Sequence, residues 1–133
     1  MQTPEYKIMV LGNTGLGKTS FCRKLIDNNN NYLNIAPTLG VDVSPCDYYV
    51  NYRKVRLNLW DCSGNENYKG LGEQYYLNSC GAIIFQDKNN KYINYIQQLL
   101  NSCGNIPYVL IEYNMEEDIQ KYMYKINQLV NLL

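Results

Sequence analysis

The stretch Gly12-Asn13-Thr14-Gly15-Leu16-Gly17-Lys18-Thr19 fits the pattern G-x-x-x-x-G-K-[ST], and its surroundings give the pattern meaning. Before it, Tyr6 to Leu11 (YKIMVL) is a short apolar run of the kind that forms a strand buried on both faces. After it, Thr19 to Asp27 has helical spacing, with Phe21, Cys22, Leu25 and Ile26 on one side. Glycines in such a strand-to-helix turn let the backbone wrap closely. The N–H groups of Gly15, Leu16, Gly17, Lys18, Thr19 and Ser20 then point at phosphate oxygens, with the positive end of the helix dipole behind them. Lys18 brings a point charge to the β- and γ-phosphates, and the Thr19 hydroxyl is suited to ligate Mg²⁺.

Outward from this loop, Asn28 to Asn31 read as a connection, and Pro37 disfavours helix at Ala36, so Tyr32 to Leu39 is expected to be extended. Val41 to Tyr49 and Val55 to Asp61 read as two strands of a hairpin joined through Asn51-Tyr52-Arg53-Lys54. Gly64 to Gly72 is rich in Gly, Asn and charge and reads as a loop leading into a helix over about Glu73 to Ser79. Gly81 to Gln86 and Pro107 to Glu112 are strand-like. Lys91 to Ser102 has Tyr92, Ile96, Leu99 and Leu100 at helical spacing, and Ile119, Met123, Ile126, Val130 and Leu133 mark a last amphipathic helix. Strands alternating with helices predict a single α/β domain over residues 1–133, with a mostly parallel sheet and one antiparallel hairpin. Tyr75, Tyr76, Tyr92, Tyr95, Tyr122 and Tyr124 are expected at the surface, where their spacing suits ordinary packing more than a partner surface.

Composition narrows the chemistry. Twelve Lys plus Arg balance twelve Asp plus Glu, so nothing supplies the positive field that a nucleic acid grip needs. The absence of histidine removes Ser-His and Cys-His catalysis and every imidazole metal site. Five cysteines, Cys22, Cys46, Cys62, Cys80 and Cys103, are odd in number and contain no C-x-x-C, so they read as reduced thiols. The opening MQTPEYK has no apolar signal-peptide core, no run is long enough to span a bilayer, and no lipidation motif is present. The expectation is a soluble intracellular protein with no membrane anchor. The 19 Asn and 14 Tyr share AT-rich codons, so coding bias accounts for them more simply than function does.

Two further elements lie at useful distances from the glycine-rich loop. Asp61-Cys62-Ser63-Gly64 is a D-x-x-G at the end of an apolar strand, where the Asp61 carboxylate can hold Mg²⁺ through water and the Gly64 N–H can meet a γ-phosphate. Thr38 offers a hydroxyl to the metal and an N–H to the γ-phosphate. This order resembles the Ras superfamily of small GTPases, and within it the Ran family. The resemblance is carried by TLGVDVSP (Thr38 to Pro45), LNLWDCSGNENYKGL (Leu57 to Leu71), QYYLNSCGAII (Gln74 to Ile84) and NIPYVL (Asn105 to Leu110). It implies a small GTPase-like P-loop fold that binds GTP or GDP with Mg²⁺. It also implies switch segments near Thr38 and Gly64 that relax on hydrolysis and meet protein regulators or effectors.

The departures from the family pattern are as informative. Asn65 stands where relatives carry a water-positioning Gln; the side chain is one methylene shorter, and slow hydrolysis is expected. Thr14 replaces a frequent Gly, and no arginine lies near Thr38 to serve as a finger in cis. Where the family has N/T-K-x-D for guanine, this chain reads Tyr113-Asn114-Met115-Glu116-Glu117-Asp118. Direct register puts Tyr113 and Glu116 at the Asn and Asp positions, and a slip of one puts Asn114 and Glu117 there; neither supplies the lysine. The S-A-K loop is also missing, and the 17 residues after Glu116 fit one helix, so the fold reads as C-terminally shortened. The leading expectation is a slow Ran-like GTPase switch. The alternative is a pseudo-GTPase interaction module with weak or base-nonselective nucleotide binding. A P-loop ATPase or nucleotide kinase is disfavoured, since no arginine-rich lid is visible. Nuclear transport does not transfer, because no acidic tail of the Ran kind is present.

Overall fold

Five strands, β1 (Glu5–Leu11), β2 (Asp42–Val50), β3 (Arg53–Asp61), β4 (Gly81–Phe85) and β5 (Tyr108–Ile111), form one sheet in the order β2-β3-β1-β4-β5. The computed structural model describes residues 3–13, 15–28, 42–61 and 75–133. β1 lies in the middle, parallel to β3 and β4; β4 is parallel to β5, and β2 alone runs antiparallel, against β3. Among the described residues, three helices with both ends in view accompany the sheet: α1 (Lys18–Asn28), α2 (Tyr92–Cys103) and α3 (Met123–Asn131), the last entered through a 3₁₀ turn at Ile119–Tyr122. This is the mostly parallel α/β sheet with one hairpin that the sequence predicts.

Period-two alternation divides the core between the two faces of the sheet. Ile8 and Val10 of β1 join Phe21, Leu25 and Ile26 of α1 and Ile126, Leu129 and Val130 of α3 in the larger cluster. Met9 and Leu11 face the other way, with Ala82, Ile84 and Leu99 of α2. A central strand covered on both sides must be apolar without interruption, which is why the last four residues of β1 are all buried. The α1 residues expected to point inward are buried. In α2, Leu99 is buried but Leu100 is 40% exposed, contrary to expectation. The inward stripe is Tyr92, Tyr95, Ile96, Leu99 and Cys103, and Leu100 lies one residue, about 100° of helix, beyond it.

The hairpin is tighter than the sequence suggests. Val50 pairs with Arg53, so the turn is Asn51-Tyr52 alone, with φ of 50° and 62°. Positive φ at both positions is the I′ geometry whose twist matches that of the strands, and Arg53 and Lys54 belong to β3 as a result. Pro45, which cannot donate to a ladder, is tolerated because β2 is an edge strand. α3 clasps this hairpin: Tyr48 Oη donates to Asn127 Oδ1 (2.6 Å), and Arg53 Nη2 donates to the Val130 carbonyl (3.0 Å). Burial pushes the Cys46 thiol on β2 up to about 12, helped by Asp47. Asp47 itself accepts from Arg56 at 2.8 Å, and this hydrogen bond holds its carboxyl below the ordinary range.

Of the helix expected over Glu73 to Ser79, Tyr75 and Tyr76 are helical and Leu77 and Asn78 form a turn; the preceding residues lie outside the described set. Asn78 has φ of 63°, a conformation that ends a helix. Tyr76 and Tyr122 are buried, not at the surface, and Tyr75, Tyr92 and Tyr95 are half-buried. Trp60, the single tryptophan, sits near the end of β3 with its ring against Tyr75 (centroids 6.5 Å) and the Lys7 ammonium 3.8 Å from its centroid. Among the described residues no disulfide joins Cys22, Cys46, Cys80 or Cys103. Among the described residues no helix is long and apolar enough to cross a membrane.

Candidate functional site

Register places the site. Val10 pairs with Asp61 across β1 and β3, so Asp61 ends its strand beside the point where β1 runs into the glycine-rich loop. There Thr19, in the first turn of α1, donates through Oγ1 to Asp61 Oδ2 at 2.5 Å, across 42 residues of sequence. Asp61 is 4% exposed and Lys18 only 3%. The Lys18 ammonium folds over the loop and donates to the carbonyls of Gly12 (2.6 Å) and Asn13 (2.7 Å). The Phe21 N–H donates to the Gly17 carbonyl at 2.9 Å as α1 begins, and the N–H groups at the start of a helix lie ahead of its own ladder of acceptors. A buried cation, a run of helix-start donors and a hydroxyl–carboxylate pair thus meet at the C-terminal ends of two parallel strands. Hydroxyl and carboxylate oxygens are the donors that a hard divalent cation takes, so the Thr19–Asp61 pair fits Mg²⁺.

Two glycines of the loop are required by close approach. A Cβ on Gly12 would lie 2.9 Å from Phe85 Cβ at the end of β4. Gly17, with φ of +84°, has Met115 Cγ 2.8 Å and Tyr113 Cδ2 3.0 Å from where its Cβ would stand. The segment after β5 is therefore packed directly on the glycine-rich loop. Lys24 of α1 reinforces the contact, donating to the Met115 carbonyl at 2.5 Å with its ammonium 5.7 Å from the Tyr113 ring centroid.

That segment is closed by bonds of its own. Glu117 N–H donates to the Asn114 carbonyl (3.1 Å), Glu116 N–H to Asn114 Oδ1 (3.0 Å), and Asn114 N–H to the Tyr122 hydroxyl (2.8 Å). The Tyr122 hydroxyl lies 3.4 Å from Glu117 Oε1, and Lys121 pairs with Glu117 Oε2. The hydrogen bond to Glu117 holds the Lys121 ammonium above its ordinary range. Tyr113 packs edge-on against Phe21, Phe85 and Tyr122, with ring centroids 5.1–5.8 Å apart, and its hydroxyl is buried without a hydrogen-bond partner among the described residues.

Among the residues singled out in the sequence, the structure brings Gly15, Leu16, Gly17, Lys18, Thr19, Ser20 and Asp61 to one place, with Asn114 and Glu117 on the adjoining segment. Thr14, Thr38, Gly64 and Asn65 lie outside the described residues. Sequence reasoning missed Tyr95, whose hydroxyl donates to Asn13 Oδ1 (3.3 Å), and it missed Lys24, Lys121 and Tyr122. Each acts through a contact between segments far apart in sequence or through a turn whose closure no motif announces.

The sheet order and the strand–loop–helix at its centre define a P-loop domain of the Ras-like GTPase class. A family model described as "Ras of Complex, Roc, domain of DAPkinase" matches residues 7–116, and the chain belongs to this Roc family. Membership supports a GTP-binding, switch-type protein. The match takes in the glycine-rich loop, Asp61 and the start of the segment after β5, and it stops before Glu117 and α3.

Proposed function

We propose that this chain binds GTP and GDP with Mg²⁺ and works as a slow, Ran-like molecular-switch GTPase. The observation that carries the reading is the meeting of Thr19 with Asp61 at 2.5 Å beside a lysine buried to 3% exposure. Backbone N–H groups from Gly15 to Ser20 cradle the phosphates. The Lys18 ammonium exchanges the Gly12 and Asn13 carbonyls for β- and γ-phosphate oxygens, a like-for-like replacement of acceptors in a site where charge is poorly screened. Thr19 and Thr38 would hold the metal through their hydroxyls and Asp61 through water, and Mg²⁺ would offset the charge on the phosphate oxygens. The Gly64 N–H meets the γ-phosphate, and Asn65 orients the attacking water from one methylene too short a reach. Loss of the γ-phosphate frees the segments around Thr38 and Gly64, where protein regulators or effectors would read the change.

Acid extraction of the purified protein followed by chromatography should release guanine nucleotide, alone or beside adenine nucleotide, and Lys18→Ala should abolish nucleotide retention. Unchanged binding in Lys18→Ala would sink the assignment of the loop. Asn65→Gln should raise the single-turnover hydrolysis rate, and no increase would count against the role given to Asn65.

A further inference from the structure

The segment after β5 is where this site departs from a guanine-selective one, and its bonds say how. A guanine edge offers two adjacent N–H donors, and selection requires one carboxylate with both oxygens turned to receive them. Glu117 has Lys121 on Oε2 and the Tyr122 hydroxyl 3.4 Å from Oε1. Asn114, its companion in that register, spends Oδ1 on the Glu116 N–H and its own N–H on Tyr122. In the other register the Asn position is Tyr113, sunk in an aromatic cluster, and the acid is Glu116, an exposed side chain on the turn. Met115 carries no charge and packs on Gly17. Asn114 and the Glu117 carboxylate are thus engaged within the segment and by the 3₁₀ turn that follows it. The phosphate end, by contrast, presents a buried ammonium and a hydroxyl–carboxylate pair.

We infer that the nucleotide is selected by its polyphosphate and not by its base, so that adenine and guanine nucleoside triphosphates bind comparably, with Lys121 and Tyr122 as the residues that hold Glu117 away from base recognition. This rests on the nucleotide-binding reading above and specifies its substrate class as purine nucleoside triphosphates. Both would be charged as magnesium complexes in the same phosphate cradle.

The test is equilibrium titration of the full chain, stripped of nucleotide, with GTP, ATP and tripolyphosphate in excess Mg²⁺. GTP and ATP are expected to bind within about fivefold of each other, with tripolyphosphate competing for the same site. Glu116→Gln and Glu117→Gln should each leave GTP affinity within about twofold. Lys121→Gln, an exposed substitution, should raise the GTP-to-ATP ratio at least threefold by releasing Glu117, with ATP affinity unchanged. A preference for GTP over ATP of thirtyfold or more, or a tenfold loss of GTP affinity alone in either glutamine variant, would overturn the inference and leave the nucleotide-binding reading standing. An unmoved ratio in Lys121→Gln would overturn the role given to that lysine. Failure of all three probes to bind would overturn the nucleotide-binding reading and the inference with it.

Discussion

Around Gly12–Thr19 the strongest polar groups are buried and bonded to partners that a ligand can replace, whereas around Tyr113–Asp118 they are bonded to their own turn. Lys18 rests on two carbonyls and Thr19 on Asp61. In the proposed binding mode, exchanging those carbonyls for phosphate oxygens keeps the number of hydrogen bonds and adds charge. Asn114, Glu116, Glu117 and Tyr122 close on one another. Taking a base there means breaking bonds already made, and the net gain from such an exchange is small. The two regions touch at Gly17, so one position can be used to load both.

The largest effect expected is on the phosphate side. Lys18→Ala removes charge-assisted hydrogen bonds worth about 2 kcal/mol or more, so nucleotide affinity should fall at least about thirtyfold in a direct titration. A comparable loss from Asn114→Ala would erase the contrast between the regions. Next is the junction: Gly17→Ala must put a Cβ against Met115 and Tyr113 at positive φ, and it should cost about 1–3 kcal/mol in urea denaturation. Met115→Ala in the same chain should recover part of that loss, and no recovery would mean that backbone conformation alone sets the cost. Tyr113→Phe removes a buried hydroxyl with no partner among the described residues and should raise stability by about 1 kcal/mol, read from the same denaturation curves; destabilisation would show that the hydroxyl has a role. Smallest is the Tyr95 contact with Asn13. Tyr95→Phe should weaken nucleotide binding about two- to fivefold without moving the urea midpoint, as expected for one neutral hydrogen bond that positions the loop.

A control far from both regions comes from Asp47. Arg56 holds its folded-state pKa below the unfolded value, so the stability it supplies is fully present above about pH 4 and is lost as pH falls through the lowered value. Asp47→Asn should flatten the acid limb of the stability profile and leave nucleotide affinity unchanged at neutral pH.

The strand, glycine-rich loop and helix start were legible from sequence because they are contiguous, and the run ending at Asp61 reads as a strand from its apolar residues. The uninterrupted apolar run of β1 and the spacing in α1 are visible directly, and both strand and helix lie where those patterns put them. Leu100 misled because a leucine beside the stripe looks like a leucine in it. The two-residue turn was hidden by Tyr52, a residue seldom found at positive φ. The closure of the segment after β5 depends on Tyr122 reaching back to Asn114 and on Met115 meeting a glycine 98 positions earlier, contacts made by tertiary packing. The burial of Tyr122 has the same origin, since its ring completes a cluster with Phe21 and Tyr113.

Trp60 gives the molecule an optical property. It is the only indole in the chain, one residue before Asp61, with a lysine ammonium over its face and a tyrosine at its edge. A displacement at the end of β3 would shift the ammonium or the phenol relative to the ring and change the emission. The unlabelled protein therefore carries its own gauge of events at the strand end, readable in a stopped-flow cuvette at 295 nm excitation on the order of milliseconds, the time on which lid and switch motions run.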